Sequence, residues 1–279
     1  MPHGPAVIGD LMESVLGRHA RVLDAAEIAP GFLDLRMDAA APPGGWQPGH
    51  EIQFRVAPTV SRRYSVRTIR AAARPGRHNG GGLGSGGNTE PGRHGTEPGP
   101  NRTEPGGLRA VRGGDGAEPS GCSPADHIGL LIATDADGPG TAWMRRVRSG
   151  AETTLLAGRH RPLREHGSRR LYLGDGSALG TIDAYARDDS VVVVEVPSDA
   201  VAPLAERWPA YRFLPAGPEP GDALQDWLDR NTNELTGIDG AVLLGHAQSI
   251  QRQRRALAAV LPRRAITTRP YWATGKVGL

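Results

Sequence analysis

The pattern of apolar and polar positions differs between the two halves of the chain. Within the first seventy residues, apolar and polar side chains alternate over short runs, as at 32–37 and 51–56, and turn residues such as 47–50 separate them. A period of two is typical of half-buried strands. Short strands joined by turns at this spacing favour a small antiparallel β-barrel in the first part of the chain.

The second half instead alternates strand and helix patterns. We predict a strand at 126–134 and a short helix at 141–147 ahead of this alternation, then strands at 170–173, 190–196, 211–214, 241–244 and 265–268, and helices at 177–187, 201–208, 223–230 and 247–261. Nearly continuous apolar strands separated by helices indicate a parallel sheet that is covered on both faces. Ligands of such sheets bind beyond the carboxyl ends of the strands.

Residues 74–123 interrupt both patterns with Gly, Pro, Arg and Glu and almost no apolar side chains. A Thr-Glu-Pro-Gly repeat stands at 89–92, 96–99 and 103–106. Pro and Gly in every copy exclude a heptad helix, and the segment cannot bury enough apolar surface to offset the entropy of ordering. We predict a disordered insertion within a first domain at 18–150, which an α/β domain follows at 151–279.

Composition and charge exclude several classes of function. The net charge is only +3, and no run of Lys and Arg with interleaved aromatics suggests nucleic-acid binding. The single cysteine, Cys122, excludes an intrachain disulfide framework and a multi-cysteine metal site. Neither a membrane-spanning apolar run nor a signal-peptide pattern is present. We expect a cytoplasmic, monomeric protein that binds no metal, membrane or nucleic acid.

The clearest candidate chemistry lies at residues 62–67, Arg-Arg-Tyr-Ser-Val-Arg. An Arg-x-Tyr-Ser-x-Arg segment on a barrel strand offers a cation for a pyrophosphate, an aromatic plane for an isoalloxazine ring and a small hydroxyl beside the reactive ring nitrogen. Arg62 and Tyr64 share one face of a strand, whereas Ser65 points away unless the strand ends or bends there. The structural alternative is an edge strand with exposed arginines and one packed tyrosine.

Two glycine-containing turns are candidate phosphate or nucleotide sites. Residues 138–141, Gly-Pro-Gly-Thr, open a predicted helix, where free N–H groups favour a phosphate. An ordinary turn with Thr141 as the N-cap is the alternative. Residues 174–177, Gly-Asp-Gly-Ser, follow a strand and open a helix, which suits a nicotinamide nucleotide. The third glycine, Gly180, comes one residue too late for Gly-x-Gly-x-x-Gly, and the turn is not a Gly-x-Ser-x-Gly nucleophile elbow.

Taken in order, these segments resemble the siderophore-interacting proteins, a branch of the ferredoxin-reductase-like superfamily. Residues 62–67 are similar to its Arg-Arg-Tyr-Thr-Val-Arg motif, and 138–143 to its Gly-Pro-Ala-x-x-Trp turn. Residues 171–179 resemble its strand followed by Gly-Asp-x-Thr-Ala-Leu-Pro, and 270–276 its Gly-Tyr-Trp-Arg-x-Gly-Arg/Lys terminus. The resemblance covers nearly all of the chain outside the insertion. It implies a flavin-binding barrel followed by an NAD(P)H-binding α/β domain.

The resemblance also implies an activity, namely reduction of a ferric siderophore by NADPH or NADH through FAD, with release of Fe(II). Ser65 takes the catalytic position beside the flavin. The implied FAD ligands are Arg62, Tyr64, Ser65, Arg67, Gly138, Gly140, Thr141 and Trp143. The implied nicotinamide ligands are Gly174, Asp175, Gly176, Ser177 and Gly245. Tyr271 and Trp272 either close over the flavin or pack the C-terminal edge, and Arg269 and Lys276 either attract the anionic chelate or belong to a solvated tail.

The departures from the family pattern lie mainly on the nicotinamide side. Leu-Gly-His at 244–246 stands where the family has Ala-Gly-Glu, so His246 replaces an acidic residue. Ala133 ends a strand near the position where the family often has a histidine. Residues 150–151 are Gly-Ala, whereas the family has Gly-Asp there. A second hypothesis is therefore a divergent flavoprotein, or a flavin- or chelate-binding protein, whose nicotinamide site has decayed and which serves another redox step. A third is a scaffold without flavin whose insertion recruits partners.

Overall fold

The computed structural model describes residues 17–57, 60–70 and 126–276. The predicted insertion at 74–123, with its repeats and Cys122, lies outside the described residues. Among the residues described, no helix is long and apolar enough to cross a lipid bilayer.

Six strands close into an antiparallel barrel in the order β1-β2-β5-β4-β3-β6. Closure satisfies the edge of every strand, and inward side chains such as Leu35, Phe54 and Leu130 are fully buried. The barrel predicted from the alternating pattern is confirmed. Its elements are β1 (Gly17–Ala29), β2 (Phe32–Ala39), β3 (Glu51–Ala57), β4 (Val60–Arg70), β5 (Asp126–Ala133), α1 (Pro139–Met144) and β6 (Glu152–Ala157).

Five parallel strands form the second part, in the order β11-β10-β7-β8-β9. Successive side chains of β7 enter different cores, since Tyr172 packs in one cluster and Leu171 and Leu173 in the other. This confirms a parallel sheet covered on both faces. Its elements are β7 (Arg170–Asp175), α2 (Leu179–Tyr185), β8 (Val191–Val196), α3 (Val201–Arg207), β9 (Arg212–Pro215), α4 (Asp222–Arg230), β10 (Gly240–His246), α5 (Ala247–Leu257) and β11 (Ile266–Trp272).

Strand β6 corrects the predicted domain boundary. It pairs with β1 and β3 and so belongs to the barrel, which therefore extends beyond residue 150. The sequence of this strand gives little sign of it, because only Leu155 is buried and no apolar alternation results. Residues 158–169 then lead to the parallel sheet.

Glycines allow the start of α2 to lie directly against the barrel. A Cβ on Gly176 would lie 2.8 Å from Cζ of Phe32, and one on Gly180 would lie 2.7 Å from the carbonyl oxygen of Leu131. Side-chain carbon atoms do not approach backbone oxygens this closely. The glycines that follow β7 therefore serve the packing of the sheet domain onto the barrel.

The close approach at Gly180 predicts a stability effect. We expect Gly180→Ala to lower the free energy of unfolding, because overpacking against a backbone carbonyl costs ~1–3 kcal/mol while alanine gains only about 1 kcal/mol over glycine in a helix. Gly158→Ala is the control, since a Cβ there meets nothing within 4 Å. Urea denaturation of both variants provides the measurement. Equal stability of the two would contradict the packing role.

Candidate functional site

Strand β4 presents its two faces to different helices. Arg62 and Tyr64 lie on the face that meets α1, where both approach Gly140. Ser65 and Arg67 face α2, where they bond to Thr181 and Asp183 respectively. This is the two-residue alternation expected of a strand, and it separates the four residues of the predicted motif into two pairs.

Arg62, Tyr64 and Gly140 converge at the start of α1. A Cβ on Gly140 would lie 3.0 Å from Cγ of Arg62 and 3.1 Å from the hydroxyl oxygen of Tyr64. The Arg62 guanidinium donates to the Ser61 carbonyl at 3.0 Å and has no carboxylate partner within the described part of the chain. Burial raises the pKa of Tyr64 to about 12, against the opposing effect of Arg62, so the phenol stays neutral. The start of α1 thus brings together a cation, a partly buried phenol and a glycine whose missing side chain allows both to approach.

Helix α1 differs from the prediction at its N-terminus. It begins at Pro139, a favoured first helical residue, and its N-cap is Gly138 without a side-chain bond, so Thr141 is not the N-cap. With six residues it aligns few peptide dipoles, so its start alone is a weak anion site. Trp143 stacks on Phe54 with ring centroids 5.1 Å apart and thereby covers the barrel core.

Arg67 lies in an ion-pair network between the barrel and the sheet domain. Its guanidinium is 3.3 Å from the Asp34 carboxylate on β2 and 3.6 Å from that of Asp183 on α2, and these side chains are largely buried. Trp208 donates to Asp183 at 2.7 Å, and Arg207 pairs with Asp34 at 3.0 Å. The structure therefore separates Arg67 from Arg62 and gives its charge two carboxylate partners.

Three hydroxyl groups form a chain across the same junction. The Tyr271 hydroxyl donates to Oγ1 of Thr181 at 2.8 Å, and Thr181 donates to Oγ of Ser65 at 2.8 Å. The residues belong to β11, α2 and β4, so the chain links the sheet domain to the barrel. Burial raises the pKa of Tyr271 to about 12, which keeps its proton in place.

Asp175 gathers the residues predicted for a nicotinamide nucleotide. Oδ1 accepts the Ser177 backbone N–H at 3.0 Å and the Ser177 hydroxyl, while Oδ2 accepts the His246 N–H at 2.8 Å and the Trp272 indole N–H at 2.9 Å. Gly245 has φ of 102°, and a Cβ there would collide with the Asp175 carboxylate. Burial raises the pKa of Asp175, and the four donors oppose that shift. The donors at these strand ends are therefore satisfied within the protein.

His246 holds the C-terminal segment as a buried neutral side chain. Nδ1 donates to Ser249 Oγ at 2.7 Å, and Ser249 in turn donates to the Pro220 carbonyl at 2.5 Å. Nε2 accepts from the Thr274 hydroxyl at 3.0 Å, and the ring lies 4.3 Å from that of Trp272. Burial lowers the pKa of His246, which fits the neutral form. Trp272 thus packs at the C-terminal edge of the sheet.

The two cations predicted for an anionic chelate have different surroundings. Arg269 pairs with Glu51 of the barrel at 3.1 Å and donates to the Arg161 carbonyl at 3.3 Å. Lys276 is exposed at the end of the described chain. Arg269 therefore contributes to the joint between the sheet and the barrel, and Lys276 is the more accessible charge.

The buried neutral His246 predicts a pH dependence of stability. The folded pKa lies below the unfolded value of about 6.5, so the unfolded state takes up a proton first and stability falls as pH drops below that value. Nearby Asp175 opposes this lowering of the pKa and Arg252 reinforces it. We expect His246→Gln to lose less stability than the wild type between pH 8 and pH 5.5 in urea denaturation. His166→Gln, at an exposed position, is the control. An unchanged pH dependence in His246→Gln would contradict the prediction.

No protein-family model and no curated protein matches the chain in sequence. Solved structures match it in fold. The siderophore-interacting protein of Acinetobacter baumannii superposes with a TM-score of 0.60 at 12% identity, covering 94% of this chain and 92% of that one. Phthalate dioxygenase reductase, described as a modular structure for electron transfer from pyridine nucleotides to a 2Fe-2S centre, gives 0.57 at 10% identity, covering 95% and 71%.

A longer protein contains the same fold as one part. An intact type IV self-sufficient cytochrome P450 monooxygenase matches with a TM-score of 0.57 at 13% identity, over 94% of this chain and 29% of that one. This chain therefore spans less than a third of that enzyme. At these identities the likeness concerns the fold, and it confirms at that level the resemblance found in the sequence. The chain has the ferredoxin-reductase-like fold of the siderophore-interacting proteins, a closed barrel followed by a parallel α/β sheet.

Proposed function

We propose that the protein is an FAD-dependent oxidoreductase that accepts electrons from NADPH or NADH and reduces a ferric siderophore, releasing iron as Fe(II). The convergence of Arg62, Tyr64 and Gly140 carries this proposal. Arg62, which has no carboxylate partner among the described residues, suits a pyrophosphate, and the partly buried ring of Tyr64 suits an isoalloxazine. The missing Cβ of Gly140 lets both side chains approach the start of α1. The residues present therefore fit the cofactor.

Each residue has a distinct role in the proposed site. Arg62 binds the pyrophosphate through paired N–H donors, and Tyr64 packs against the flavin as a neutral phenol. Ser65 lies on the opposite face of β4, bonded to Thr181, and is separated from this pair. When bound, FAD supplies the exchange between a two-electron donor and one-electron acceptors, while the protein supplies placement and electrostatics. Lys276 attracts the anionic chelate, because it is exposed, whereas Arg269 is paired with Glu51.

The solved structures of similar fold support the class of reaction. One is described as transferring electrons from pyridine nucleotides, and another as a siderophore-interacting protein. Their descriptions name different partners, a 2Fe-2S centre and a siderophore, while the fold is shared. The acceptor is therefore the part of the proposal that depends most on direct measurement.

The Asp175 cluster favours a second candidate, a flavoprotein whose nicotinamide site has decayed. The backbone N–H groups of Ser177 and His246, which a nucleotide phosphate would use, already bond to the Asp175 carboxylate. A carboxylate at this position also repels a phosphate. In this case the flavin would serve another redox step.

Substitutions at the flavin side test the cofactor site. We expect Arg62→Ala to weaken FAD binding roughly 10- to 100-fold, since hydrogen bonds to a charged group contribute about 1.5–3 kcal/mol. Tyr64→Ala should also lower occupancy, because the packed ring is lost. Arg63→Ala is the matched control, since this exposed neighbour lies on the other face of β4. Visible absorbance of the purified proteins and FAD titration are the measurements. Full occupancy in both variants would reject this site.

Anaerobic stopped-flow mixing separates the two candidate functions. The first candidate predicts that NADH or NADPH bleaches the flavin, and that a ferric siderophore speeds its reoxidation. The second predicts no bleaching by either nucleotide, although dithionite still reduces the bound FAD. Ferric citrate in place of the siderophore controls for unspecific reduction of iron.

A further inference from the structure

The last part of the chain carries charge of one sign. Residues 240–279 contain seven Arg or Lys and neither Asp nor Glu, whereas the net charge of the whole chain is only +3. The rest of the chain is therefore net negative. An uneven distribution of this kind indicates that the basic segment meets an acidic or anionic partner.

Four of these cations form an exposed group at the end of α5. Arg254 and Arg255 lie in the last turn of the helix, and Arg263 and Arg264 lie in the short 3-10 turn that leads into β11. All four are exposed, and none forms an ion pair within the described part of the chain, unlike Arg252. Like charges this close along the chain repel one another, and carboxylates of a partner would relieve that repulsion.

An exposed apolar side chain lies between the two arginine pairs. Leu257 and Leu261 anchor this segment in the sheet core, whereas Val260 is 55% exposed and follows the exposed Ala258 and Ala259. The core therefore leaves Val260 unused. An apolar centre within a charged rim is the usual composition of a protein–protein interface.

The helix dipole accounts for only part of this group. Basic side chains in a last turn interact favourably with the helix C-terminus, which applies to Arg254 and Arg255. That effect fades within one turn. It explains neither Arg263 and Arg264, which follow the helix, nor the exposure of Val260.

We propose that the surface formed by residues 254–264 docks an acidic segment of a partner protein, with carboxylates on the arginines and an apolar side chain on Val260. An anionic bilayer suits it less well. Helices α4 and α5 are joined by an ion pair and end at the same edge of the sheet, where α4 exposes Asp229. A bilayer would bring its negative charge against that carboxylate too, whereas a protein segment can be confined to the arginines.

The surface lies at the edge of the sheet opposite the one that nucleotides use. Strands β10 and β11 are parallel, so α5 begins at the carboxyl end of β10 and returns to the amino end of β11. Nucleotides of such sheets bind at the carboxyl ends, where Asp175 and His246 lie. A partner docked at 254–264 leaves that edge open, so the inference is independent of the proposed function.

Titration of an acidic peptide tests the inference. The probe is a fluorescein-labelled peptide in which glutamates flank a central leucine, and the full-length protein is added while fluorescence anisotropy is recorded. Replacing Arg254 and Arg255 together by Ala should weaken binding roughly 2- to 30-fold, the range of two exposed ion pairs. Replacing Arg263 and Arg264 together by Ala should have a similar effect.

The controls separate docking from unspecific attraction of charge. Replacing Arg159 and Arg161 together by Ala removes the same charge from exposed positions elsewhere and should leave binding unchanged. The wild type should bind the leucine peptide roughly 3- to 10-fold more tightly than a peptide with glycine in its place, because part of Val260 becomes buried. Val260→Ser, at an exposed position, should remove that preference.

Four outcomes would overturn the inference. One is a wild type that binds neither peptide, and another is an equal loss of binding in the Arg159 and Arg161 variant. A third is a preference for leucine that persists in Val260→Ser. The fourth is binding to phosphatidylserine vesicles that is stronger than to the peptide and is lost in the same arginine variants, which would assign the surface to a bilayer.

Discussion

Strand β4 is contacted by α1 on one face and by α2 on the other, and the two-residue period of a strand decides which side chain each helix meets. Arg62 and Tyr64 therefore lie with Gly140, while Ser65 and Arg67 lie with the sheet domain. A slip of one residue would exchange the two sets and bury Arg62 in the junction. The register of β4 with β3 thus underlies the whole candidate site, because it places Arg62, which has no carboxylate partner among the described residues, on one face and the ion-paired Arg67 on the other.

The junction between barrel and sheet restrains this strand from outside. Arg67 lies between two largely buried carboxylates, which compensate its loss of hydration, and loss of one partner would leave a charge uncompensated. Such a network differs from exposed surface ion pairs, which contribute little to the free energy of unfolding. Together with the glycine contacts of α2, it fixes the spacing across which Thr181 reaches Ser65. An error of 1 Å in that spacing would break the hydrogen bond.

Periodicity in the sequence predicts the two parts of the fold well. Alternating apolar runs indicate strands with one buried face, whereas continuous apolar runs indicate strands buried on both faces. It misses β6, because Leu155 is its only buried residue. The faces of Arg62, Tyr64 and Ser65 also follow from the strand period. Thr181 and Asp183 have no sequence signal, since their partners in the barrel, Ser65 and Arg67, each lie 116 residues away along the chain. Gly176 matches a nucleotide turn in sequence, yet glycine serves close packing equally well, and only the contact with Phe32 distinguishes the two uses.

The same ambiguity applies to the carboxyl ends of β7 and β10. A partly buried carboxylate needs several donors, and Asp175 obtains them from Ser177, His246 and Trp272. A phosphate that took those backbone donors would leave the carboxylate unsatisfied, so nucleotide binding here requires that Asp175 or Trp272 move. The flavin side requires no such movement, because Arg62 lacks a carboxylate partner among the described residues. The flavin binding and the nicotinamide binding that we propose therefore depend on separate contacts, and either can persist while the other is lost.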